Sequence, residues 1–196
     1  MGLALRIGCF SGPFAQTGQP IATLADVAAG LVNQARRHGM EPAELQIDFD
    51  CPESKLDGYA IWLRAIRQAV APTPVSITAL PSWLNHSSFN RLLTQAPRYV
   101  LQVHSLSRPS STDRLAPLCD VEAARGAVRK AARLGGAFLV ALPTYGYQVA
   151  FDEHGKYLSI SAEGPSPRWP AGAAKQAVPL PLQGRRSGLA GGRDDA

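Results

Sequence analysis

Four short apolar segments carry polar side chains whose types and spacing suit work on a polar substrate. LQIDFD places Gln46, Asp48 and Asp50 at alternate positions. Side chains alternate across a strand, so these three share one face and Leu45, Ile47 and Phe49 the other. VSITAL likewise puts Ser76 and Thr78 on a polar face, LQVH puts Gln102 and His104 there, and LRIGCF puts Arg6 and Gly8 there. Paired carboxylates suit acid–base chemistry, because one charge discourages ionisation of its neighbour and the two divide the roles of acid and stabiliser. A charge turned inward needs a counter-charge, so Arg6 is the expected partner of Asp48 or Asp50. Trp83, just past the third segment, offers an aromatic ring at the rim. Tyr145 sits at the same rim after a fifth segment. Singly, each residue has a plain structural role: Asp50 as a loop cap, His104 as a satisfied core histidine. Their matching parity on four segments favours one shared site.

The elements that must position these residues follow from hydrophobic period and turn chemistry. Strands are expected at 3–10, 45–50, 75–80, 99–106 and 138–142. Helices are expected at 24–38, 56–70, 88–95 and 120–134. Thr23 reads as the cap of the first helix and Gly39 as its stop; Asp120 and Gly135 play those parts for the last. Residues 148–151 and 157–161 flank DEHG and read as a β-hairpin. Strands alternating with helices imply a parallel sheet of βα units. In a doubly wound sheet helices cover both faces, and strands read as apolar runs. Here each strand has one polar face, which favours a barrel with a polar interior. Five units are fewer than the eight a closed barrel needs. The fold class is therefore α/β, an incomplete TIM-like (β/α) barrel of about five parallel strands plus a β-hairpin. The partial barrel is assigned to residues 1–163. The Pro-, Gly- and Arg-rich stretch 164–196 lacks apolar periodicity and reads as a disordered tail.

Composition narrows the function classes. The chain has 196 residues, 45% hydrophobic and 18% charged, which is enough for a packed core. Its net charge of +5 is spread over arginines on polar helix faces, without the basic clustering and interleaved aromatics of a nucleic-acid surface. Three cysteines without C-x-x-C support neither a zinc ribbon nor a redox motif. Asp48, Asp50 and His104 could ligate a divalent metal, but H-x-H and H-E-x-x-H are absent, so no metal and no cofactor are expected. Nucleotide loops and the G-x-S-x-G elbow are also missing. No run of about 18 apolar residues suggests a membrane span. The N-terminus reads as a strand rather than a signal peptide, so a cytoplasmic location is expected of the sequence as given. Open sheet edges would expose unpaired backbone and favour self-association.

LQIDFDCPESKLDGYAIWLRAIR, VSITALPSWL, YVLQVHSL and ALPTYGY together resemble the bacterial family called domain of unknown function 3142, over Leu3 to Ser161. More distantly, LQIDFDCP is similar to the D-x-x-D-x-D-x-E strand of family 18 glycoside hydrolases, the chitinase-type TIM barrels. On that match Asp50 falls on the catalytic glutamate, Asp48 on the last aspartate and Gln46 on the middle one. The resemblance implies a polysaccharide as the partner, hydrolysed or bound, with Asp50 as acid. Asp48 would orient the substrate acetamido group that serves as nucleophile in that family. Arg6, Gln46, Thr78, Trp83, Gln102, His104 and Tyr145 would contact sugar. Asp stands for Glu, Gln for Asp, and QVHS for the expected tyrosine–aspartate pair. A truncated, inactive or purely carbohydrate-binding barrel is the competing expectation.

Overall fold

In a computed structural model of the chain, residues 1–8, 10, 12–14, 18–104, 118–144, 146, 148–152 and 154–161 are described. Five strands, β1 (Gly2–Arg6), β2 (Glu44–Asp48), β3 (Val75–Ala79), β4 (Arg98–Gln102) and β5 (Ala137–Ala141), form one parallel sheet in the order β1-β2-β3-β4-β5. Helices α1 (Gln19–Arg37), α2 (Leu56–Ala69), α3 (Ser87–Gln95) and α4 (Val121–Leu134) form the connections. Sequential order never reverses. With the usual right-handed crossovers, every helix then falls on the same face. A doubly wound sheet reverses its order and covers both faces; a barrel wall does not. Strands β6 (Gln148–Phe151) and β7 (Tyr157–Ser161) make an antiparallel hairpin that falls in a second compact unit. The expected α/β class, with five parallel strands and a hairpin, is what the chain adopts. Residues 162–196, including the segment expected to be a tail, lie outside the described residues.

The helix-facing side of the sheet is the core. Leu45, Ile47, Ile77, Ala79 and Leu101 are sealed there against Val32, Tyr59, Trp62, Leu63, Phe89 and Leu92 of the helices. Aromatic rings run through this layer in an unbroken series: Phe10, Phe14, Trp62, Phe49, Tyr59, Trp83, Phe89, Tyr99 and Phe138. Successive centroids are 4.2 to 6.3 Å apart. Rings at such spacings add on the order of 1 kcal/mol per pair beyond their burial.

Helix ends were legible only in part. Asp120 caps α4 as expected, its Oδ1 accepting the Ala123 N–H at 3.0 Å, and Gly135 follows with φ +78°. α1, however, begins at Gln19 behind Gly18, not behind Thr23, which is exposed inside the helix. Pro20 fits the first turn, where its missing N–H costs nothing, and the Ala22 N–H closes onto the Gly18 carbonyl at 3.3 Å. Three strands also end two or more residues sooner than expected. β1 stops at Arg6, β2 at Asp48 and β4 at Gln102, so Asp50 and His104 lie past the ladder. At β5, an edge of the described sheet, Leu139, Val140 and Leu142 are exposed.

Gly58, inside α2, is a position where close approach demands glycine. A Cβ there would overlap Cβ and Cγ of Phe14, whose ring packs at a tilt against Trp62, centroids 4.2 Å apart. Helix propensity alone favours Gly→Ala by about 1 kcal/mol, whereas overpacking costs roughly 1–3 kcal/mol. Gly58→Ala is therefore expected to lower stability, by about 1 kcal/mol net, in a urea titration. A rise would mean that the Phe14 segment moves aside freely.

Candidate functional site

The face of the sheet turned away from the helices gathers most of the expected polar residues. Parallel register sets Arg6 beside Asp48 and Gln46 beside Ser76. The expected ion pair forms between Arg6 and Asp48, with Nε 4.0 Å from Oδ2. One strand over, the Gln46 amide N–H donates to the Thr78 hydroxyl at 3.1 Å. Thr78 is buried, as is Ser76, on β3, the middle strand of the five. Gln102 ends β4 on this same face, and His104, half-buried, continues its parity beyond the strand. Arg6, Asp48, Gln46 and Thr78 thus form a continuous polar strip across three strands near their C-terminal ends. That end is where α/β barrels carry their chemistry.

Asp50 stands at the tip of this strip. The Cys51 N–H donates to the Phe49 carbonyl at 2.9 Å, closing a three-residue turn with Asp50 at its apex. Phe49 and Cys51 are buried and Asp50 is exposed, so alternation continues after strand pairing has ended. The Cys51 thiol is pushed up to about 12, by burial first, with Lys55 opposing; such a thiol is inert at neutral pH. Burial also lifts the Tyr59 hydroxyl well above its ordinary range, and the Asp48 carboxylate adds to the rise.

Trp83 does not line the site. Its side chain is fully enclosed among Tyr59 and Phe89, and its indole N–H donates to the Cys51 carbonyl at 3.1 Å. Pro81 opens a short 3-10 turn, Pro81–Asn85, that swings the ring into the core rather than over the rim. A ring with no exposed face cannot stack on a sugar, so its expected contact role is corrected to a core role. Tyr145 lies outside the described residues. Among the described residues, no three His, Cys, Asp or Glu side chains are placed to share a metal ion, and no helix is long and apolar enough to cross a membrane.

Three polar residues at this end of the sheet escaped the sequence reading. His86 Nε2 lies 2.8 Å from Glu53 Oε2. Hydrogen bonds from Ser82 and then His86 hold the Glu53 carboxyl below the usual range. Glu53 follows β2, whereas Ser82 and His86 follow β3, so only strand adjacency brings them together. Nearby, Arg91 Nε donates to Asp57 Oδ1 at 2.6 Å and ties α3 to α2; that bond keeps Asp57 low. An open cleft of about 430 Å³ lies between Gly12–Phe14 and the start of α2, where Lys55 Nζ donates to the Gly12 carbonyl at 3.1 Å.

A polar strip on a parallel sheet, ending in an acidic turn, is what this end of the chain presents. The family described as domain of unknown function (DUF3142) matches residues 10–181. The chain belongs to this family. No curated protein matches its sequence significantly. Among solved structures, one similar fold is ydhD from Bacillus subtilis, a protein described as a sporulation-specific glycosylase. The TM-score is 0.52 at 13% identity, covering 74% of this chain and 50% of that one. At that identity the likeness speaks to fold alone. The DUF3142 chain spans half the length of that structure.

Proposed function

We propose that the helix-free face of the sheet is a carbohydrate site that cleaves a glycosidic bond. Asp50 serves as acid and Asp48 as the carboxylate that orients the substrate. The observation that carries this reading is the shared face of Arg6, Gln46, Asp48 and Thr78, leading out to Asp50 where the strands end. Gln102 and His104 extend the face and are assigned substrate contacts. The glycosylase description of a protein with a similar fold points the same way. With the family 18 likeness of LQIDFDCP, the substrate class is a polysaccharide bearing N-acetyl groups.

One observation favours a binding module without turnover. The Asp48 carboxylate already faces Arg6, and a carboxylate engaged by a guanidinium is less free to orient an acetamido group. Both readings need the sugar to bind, so binding is the first test. A ligand stabilises only the state it binds, by about 2.7 kcal/mol at a hundredfold excess over Kd. A thermal melt with chito-oligosaccharides is expected to rise by several degrees (about 2–4 °C per kcal/mol at this size). A cooperative melt that ignores the sugar at millimolar concentration would remove both readings.

A further inference from the structure

The turn that carries Asp50 is gripped from the neighbouring turn. Both backbone polar groups of Cys51 are engaged: its N–H by the Phe49 carbonyl at 2.9 Å, its C=O by the Trp83 indole N–H at 3.1 Å. Two residues on, the Glu53 carboxylate meets His86 Nε2 at 2.8 Å and accepts a hydrogen bond from Ser82. The second turn is braced on its own account. The Trp83 N–H donates to the Leu80 carbonyl at 3.1 Å and the His86 N–H to the Trp83 carbonyl at 2.9 Å. The grip thus has a buried half, the indole, and an exposed half, the His86–Glu53 pair, whose side chains are 41% and 44% accessible. Pairing of Ile47 with Ile77 fixes the spacing of the strands from which the two turns spring.

We propose that Ser82, Trp83 and His86 are positioning residues, which hold the Asp50 turn through Cys51 and Glu53. The inference rests on the reading of Asp50 as the acid. A short carboxylate has one methylene of reach, so its turn must be fixed; a misplacement of about 1 Å costs on the order of a hundredfold in rate. Phe49 and Cys51 anchor the turn inward, and Lys55 ties the far end of the segment to the Gly12 carbonyl. Between these points the β3 turn supplies the hold, through Cys51 and Glu53.

Cys51 is a built-in reporter of this grip, since its buried, protonated thiol reacts only when the turn opens. The experiment treats the full chain with an aromatic disulfide at neutral pH and follows labelling of Cys51 by peptide mass mapping, with Cys119 as internal reference. His86→Ala is expected to speed Cys51 labelling roughly threefold, the scale of a partly exposed pair. Trp83→Phe, which keeps a ring but loses the N–H, should speed it about fivefold. His86→Gln keeps a side-chain donor and should return close to the parent rate. In each case Cys119 should keep its rate, which separates local opening from unfolding. Parent rates at Cys51 in both His86→Ala and Trp83→Phe, with the chain folded, would overturn the proposal, as would no rescue by His86→Gln. No sugar enters the measurement, so a failed carbohydrate reading shows only in the ligand melt and a failed grip only in the labelling.

Discussion

Asp50→Asn is expected to abolish hydrolysis of an N-acetylglucosamine oligomer while leaving the fold and the sugar affinity intact. A positioned general acid is worth about 10²–10⁴-fold in rate, and asparagine has the same shape without the proton. Asp50 is exposed at the apex of its turn, so the substitution disturbs no core contact and should change stability by less than about 0.5 kcal/mol. That separation of effects makes the variant informative. Asp48→Asn is a poorer probe, because it also breaks the pair with Arg6. Asp50→Glu supplies the complementary test. It lengthens the side chain by one methylene and restores the residue that the family 18 pattern carries at this place. If reach limits the parent, Asp50→Glu should match or exceed its turnover. Initial rates on a chromogenic chito-oligosaccharide measure both variants. Turnover preserved in Asp50→Asn would exclude Asp50 as the acid. Sugar affinity with no turnover in parent or Asp50→Glu would identify a binding module.

The parity of the strands was legible because it is set by what each face meets. Leu45, Ile47, Ile77 and Leu101 meet helices, whereas Gln46, Asp48 and Gln102 do not, and alternation records that difference directly. The same signal hid where strands end. Phe49 and Cys51 keep alternating with Asp50 after the ladder has stopped, because burial in the loop follows the core and not the hydrogen bonds. The Arg6–Asp48 pair could be anticipated from the need of one charge for another, and register then delivered it. The Glu53–His86 pair could not, since its members lie on different βα turns and carry no local signature. The α4 cap was readable from Asp120 and Gly135. The start of α1 was not, because Thr23 is a better cap by type than Gly18, yet Pro20 and the Gly18 carbonyl begin the helix earlier.

Trp83 is the residue for which sequence position misled most, and its replacement carries the largest expected cost in stability. Seen along the chain, an aromatic just beyond a barrel strand is placed to meet a sugar. In three dimensions the indole is fully buried, with Tyr59 on one side and Phe89 on the other, and its N–H is satisfied by Cys51. Trp83→Ala would remove the largest side chain in this stretch of the core and leave the Cys51 carbonyl without its donor. Truncations of buried aromatics cost about 3–5 kcal/mol, a large share of the roughly 5–15 kcal/mol that holds a domain together. The melting temperature should fall by on the order of 10 °C or more. The two roles predict opposite pairings of effects. A stacking platform can be lost with the fold intact and affinity gone. A core indole takes the fold with it, and affinity falls only in proportion to the unfolded fraction. A Trp83→Ala chain that melts like the parent and no longer binds sugar would therefore return Trp83 to the rim. The expected outcome keeps the binding surface on Arg6, Asp48 and Asp50, and leaves the tryptophan to hold together the two turns above it.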